Sequence, residues 1–119
     1  MIELTDKQAA LVRSILRQYF PIGEARVFGS RYNGGAKKFS DLDLALKSDR
    51  LLTIDELGLI GEAFENSSLP FRVDVIDYLS VGENFRVIID ENSGLFYSSE
   101  TTANEGIPEA GTEGGSCDY

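Results

Sequence analysis

Leu11, Val12, Ile15, Leu16 and Tyr19 recur at the three- and four-residue spacing of a helix buried along one side. Thr5, followed three residues later by Gln8, is a capping-box pair. The pattern predicts a first helix over about Asp6 to Tyr19, closed by Pro21 and Gly23, and then a short strand, Ala25 to Phe28, ending on Gly29-Ser30. Residues Arg31 to Ser40 include Asn33, Gly34, Gly35, Lys37 and Lys38, too polar and glycine-rich for a packed element, and read as a loop. From Asp41 to Leu46 the alternation is strict: Leu42, Leu44 and Leu46 point one way, Asp41 and Asp43 the other, as in a half-buried strand.

Leu57, Ile60 and Phe64, with Thr53 and Glu56 as a second capping box, predict a helix over about Ile54 to Asn66. Phe71 to Tyr78, rich in β-branched and aromatic residues, is the strongest strand signal in the chain. Ser80 and Glu83 read as a third capping box before a last helix carrying Phe85, Ile88 and Ile89 and ending near Asp90. The predicted order is α-β-β-α-β-α, in a domain spanning residues 1–92. Residues 93–119 turn to Ser, Thr, Gly and Glu, with Leu95-Phe96-Tyr97 as the last apolar cluster, and are expected to be a flexible acidic tail that buries too little to offset its ordering entropy.

Composition narrows the chemistry. With 119 residues, 42% of them hydrophobic, one modest core is expected and no second domain. No run of about 18 apolar residues and no secretory signal is visible, so a cytoplasmic protein without a membrane span is expected. The single cysteine, Cys117, has no companion for a disulfide or a metal. A formal charge of −9 argues against binding nucleic acid by phosphate neutralisation. Five acids and no basic residue lie from Ser98 onward, so the first 97 residues carry only −4 of that charge and can still hold an anionic nucleotide at a local site. The absence of histidine leaves carboxylates, lysine and tyrosine for acid-base work, and oxygen ligands suited to hard cations such as Mg2+.

One arrangement combines these properties. Gly29-Ser30 is followed after ten residues by Asp41-Leu42-Asp43, and about thirty residues later by Asp74 in the middle of a second strand. Carboxylates at i and i+2 on a strand point the same way about 7 Å apart, so Asp41 and Asp43 can flank one or two Mg2+ ions, with Asp74 completing the cluster from a neighbouring strand. Two-metal phosphoryl and nucleotidyl transfer uses such a clamp. Asp74 is the candidate general base, or the ligand that orients the nucleophile. Asp77 lies on the opposite face with Val73 and Val75, and reads as a strand-end acid or a charge at a helix start. Gly29 permits close approach to a phosphate, the Ser30 hydroxyl can donate to it, and Arg31, with Lys37 or Lys38, is expected to add charge.

The string Val27-Phe28-Gly29-Ser30-Arg31 … Ser40-Asp41-Leu42-Asp43-Leu44-Ala45 resembles the DNA polymerase β nucleotidyltransferase superfamily. Small size and the strand Arg72 to Asp77 are similar to its minimal nucleotidyltransferases, the MNT antitoxins that partner HEPN ribonuclease toxins. The resemblance covers about residues 9 to 90. It implies a small mixed α/β (α+β) sheet flanked by helices. Gly29 and Ser30 would bind the triphosphate, and Asp41, Asp43 and Asp74 two Mg2+ ions. ATP would be the substrate, and AMP would pass to a tyrosine of a helical HEPN partner in a hetero-oligomer.

No residues remain for the acceptor-binding helical domain that larger nucleotidyltransferases append, which favours an acceptor supplied by another protein. Phe71, Tyr78 and Leu95-Phe96-Tyr97 are candidates for that contact. Two other classes compete: an antitoxin acting by occlusion alone, and a small-molecule, aminoglycoside-type nucleotidyltransferase.

Overall fold

The computed structural model describes residues 2–99. Helix α1 (Asp6–Tyr19) leads into β1 (Glu24–Phe28), a single-turn helix α2 (Ser30–Asn33), β2 (Leu42–Lys47), α3 (Ile54–Glu65), β3 (Val73–Asp77), α4 (Glu83–Glu91) and β4 (Gly94–Ser98), with a 3-10 turn, Tyr78–Ser80, before α4. The four strands form one sheet in the order β3-β2-β1-β4. β1 runs antiparallel to both β2 and β4, while β2 and β3 are parallel, as the crossover through α3 requires.

Alternation decides the two faces. Ala25, Val27, Leu42, Leu44 and Leu46 are buried on one face beneath Val12, Ile15, Leu16 and Phe20 of α1 and its C-cap, and Ile60 and Phe64 of α3. The other face is smaller: Ala45 packs with Tyr78 and Ile89, flanked by Phe28, Ile76 and Phe85. Asp43 lies on this second face by parity with Ala45.

The first two capping boxes form. Thr5 Oγ1 accepts from Gln8 N at 3.1 Å and Gln8 Oε1 from Thr5 N at 3.0 Å, and Thr53 and Glu56 make the same exchange at 3.0 and 2.8 Å. The third does not. Ser80 ends the 3-10 turn and donates its hydroxyl to Asp77 O at 2.8 Å, and α4 starts beyond it with Gly82 at the N-cap.

The expected boundary at residue 92 also moves. Gly94–Ser98 is a fourth strand, and its Phe96 and Tyr97 belong to the main core. The free edge of β1 supplies the hydrogen-bonding partner, and the long-range pairing Glu24 to Ser98 closes the sheet. The tail expected beyond it, with Cys117, lies outside the described residues. Among the described residues no helix is long and apolar enough to cross a membrane.

Candidate active site

Parallel pairing of β2 with β3 sets Asp43 directly opposite Asp74, and antiparallel pairing of β1 with β2 sets Phe28 opposite Asp43. The chain leaving β1 therefore turns at Gly29 beside the Asp43 carboxylate. Gly29 has φ +74°, and a β-carbon there would lie 2.4 Å from Asp43 Oδ2. Both facts demand glycine. The close approach that the sequence suggested for a phosphate is made here by a carboxylate.

Asp41 is exposed just ahead of β2, whose start is fixed by Leu42 N donating to Arg72 O at 2.9 Å. Burial, then the negative charges of Asp74 and Asp41, push the Asp43 carboxyl above the usual aspartate range. The three acids thus share one electrostatic environment. Among the described residues no group of three His, Cys, Asp or Glu side chains closes around one point as a finished metal cage would. Asp74 Oδ1 instead accepts from Arg72 Nε and Nη2 at 3.1 and 2.9 Å. In donor chemistry the set fits a hard divalent cation: carboxylate oxygens, clustered negative charge and a cationic side chain already drawn to one of them.

Ser30 is exposed at the first position of α2, and Gly29 O accepts from Tyr32 N and Asn33 N at 3.0 and 2.8 Å. Arg31 corrects its expected role. It is 5% exposed, with Nε donating to Ser40 O, Nη1 to Glu3 O, and Nη2 to Lys37 O and Lys38 O, while its guanidinium stacks 3.9 Å from the Phe71 ring centroid. A side chain so engaged shapes the loop between Gly29 and Asp41 and is not available to a triphosphate. Lys37 and Lys38 are exposed, with the Lys38 ammonium 5.4 Å from the Phe39 ring centroid.

Asp77 lies apart from the acid cluster, as its parity required. It is buried, accepting from Leu52 N at 2.7 Å and Leu79 N at 3.0 Å, and so caps the 3-10 turn. The apolar residues suggested for partner contact are mostly core: Phe71, Tyr78, Phe96 and Tyr97 are buried, and Leu95 alone of that set is half exposed. The Tyr78 hydroxyl donates to Asp90, 2.8 and 2.9 Å from its two oxygens, tying the 3-10 turn to α4.

Arg72 was not singled out in the sequence. The signal was present, because residues 72 and 74 share strand parity.

The fold is that of a nucleotidyltransferase: residues 11–102 match the family "Polymerase beta, Nucleotidyltransferase", and the chain belongs to it. It is accordingly an enzyme with a nucleotide substrate. More particularly, it is 38% identical over 104 residues to the probable protein adenylyltransferase MntA of Haemophilus influenzae, covering 87% of this chain and 91% of that one.

Two solved structures share the fold. One is a crystal structure of a toxin-antitoxin with AMP-PNP, with a TM-score of 0.66, 19% identity and 84% of each chain covered. The other is a tri-AMPylated Shewanella oneidensis HEPN toxin in complex with MNT antitoxin, with a TM-score of 0.60, 16% identity, and 82% of this chain and 75% of that one covered.

Proposed function

We propose that this nucleotidyltransferase transfers AMP from ATP to a tyrosine hydroxyl of a helical HEPN-type ribonuclease and thereby acts as its antitoxin. The observation that carries the reading is the in-register meeting of Asp43 and Asp74 beside Gly29, with Asp43 held above the usual aspartate range. Clustered carboxylates that repel one another are costly unless a cation or a reacting group offsets them. The likeness to an adenylyltransferase over nearly the whole length of both chains supports the adenylyl group and a protein acceptor.

Asp41, Asp43 and Asp74 would hold Mg2+, which when bound neutralises the triphosphate and eases departure of pyrophosphate. The chain's own contributions are separate. Gly29 lets the backbone pass the acid cluster, and Ser30, exposed beside it, offers a hydroxyl to the triphosphate. Asp74, at the β3 edge of the sheet, orients the acceptor hydroxyl and takes up its proton as the phenolic oxygen bonds to the α-phosphorus. Arg31 keeps the intervening loop in shape through the carbonyls of Lys37, Lys38 and Ser40.

The test is intact mass spectrometry of a purified HEPN partner after incubation with this chain, ATP and Mg2+. One or more adenylyl additions are expected with the parent chain and none with Asp41→Ala. A partner silenced without any mass change would establish occlusion in place of transfer, and transfer undiminished in Asp41→Ala would remove that residue from the metal set.

A further inference from the structure

Arg72 is the basic side chain bonded to the acid cluster, and its geometry is two-sided. Its backbone is fixed, because Arg72 O accepts from Leu42 N, but its side chain is 74% exposed. The guanidinium meets Asp74 through two nitrogens on one oxygen and also feels the charge of Asp41. Both residues line a cleft of about 770 Å³ that runs between α3 and β3 past Gly58, Gly61 and Glu62.

An ion pair this exposed is largely screened by water, so it can occupy Asp74 in the resting protein and still yield to a divalent ion. We propose that Arg72 is the resident counter-ion of the site: it holds Asp74 while no cation is bound, is displaced when one arrives, and then pairs with the phosphates of the incoming nucleotide. The inference rests on the reading of Asp41, Asp43 and Asp74 as cation ligands. A displaced guanidinium stays tethered beside those acids, and its planar fork suits phosphate oxygens. Arg72 is thus a positioning residue for Asp74 in one state and a nucleotide-binding residue in the other.

The two roles predict opposite signs. Calorimetric titration of the full chain with Mn2+ alone should show Arg72→Ala binding the ion roughly two- to five-fold more tightly than the parent, the worth of the released ion pair. Titration with α,β-methylene ATP at saturating Mn2+ should show the same variant binding the nucleotide roughly ten-fold or more weakly, the cost of a lost charge-assisted hydrogen bond. A double-mutant cycle separates contact from general field: in an Asp74→Asn background, removing Arg72 should no longer alter Mn2+ affinity. An unchanged Mn2+ affinity in Arg72→Ala, effects of the same sign on ion and nucleotide, or a Mn2+ effect that persists in Asp74→Asn would each overturn the proposal. Mn2+ binding undiminished in Asp43→Asn would instead overturn the cation-site reading on which it stands.

Discussion

Asp43 carries the most unfavourable electrostatics of the acid cluster, and its consequence for stability has a definite sign. Its folded-state pKa is raised by burial and by Asp74 and Asp41, so the folded protein holds that proton more tightly than the unfolded chain does. Stability therefore falls as pH rises from the ordinary aspartate value to the raised one, and the deficit persists above it. In metal-free buffer, Asp43→Asn is expected to melt higher than the parent near pH 7, with the gap closing near pH 3, about a unit below the ordinary value. Adding Mg2+ should raise the parent's melting temperature and leave the variant's unchanged, because only the parent binds the ion. Differential scanning calorimetry at the two pH values reads both effects.

At the scale of elements, the loop between β1 and β2 depends on one cation. Arg31 gives hydrogen bonds to the carbonyls of Glu3, Lys37, Lys38 and Ser40, which fixes residues 37–40 immediately before Asp41. Arg31→Met keeps bulk over Phe71 but removes every one of those donors. It should cost about 2–4 kcal/mol in urea unfolding and lower transfer through a displaced Asp41.

Sequence pattern exposed the elements whose cause is local. Helix α1, two capping boxes and the alternating strand around Leu42, Leu44 and Leu46 follow from spacing alone, and the Gly29-Ser30 and Asp41-x-Asp43 strings stand where strand ends put them. The rest depends on distant partners. Arg31 looks like a phosphate ligand until Glu3 and the loop carbonyls surround it. Ser80 looks like an N-cap until Asp77 claims the turn. Leu95-Phe96-Tyr97 looks like the start of a tail because its strand exists only by pairing with β1, some seventy residues earlier.

At the scale of the molecule, that last strand is a condition of the fold. Ending the chain after Asn92 removes Phe96 and Tyr97 from the core, and losing even one buried aromatic ring costs about 3–5 kcal/mol against a total stability of about 5–15 kcal/mol. The shortened chain should be unfolded by circular dichroism, whereas ending after Ser99 retains all of β4 and should keep the fold.

The same pairing sets a clock on the protein's birth. β1 is an inner strand, yet the neighbour on one of its sides is made last. At about 5–20 residues per second of synthesis, its edge lies bare for about four to fifteen seconds, and closing so long a loop is itself slow. The sheet that carries the acids is complete only when β4 pairs with β1, so refolding chains should regain catalytic competence in the same kinetic phase in which β4 docks.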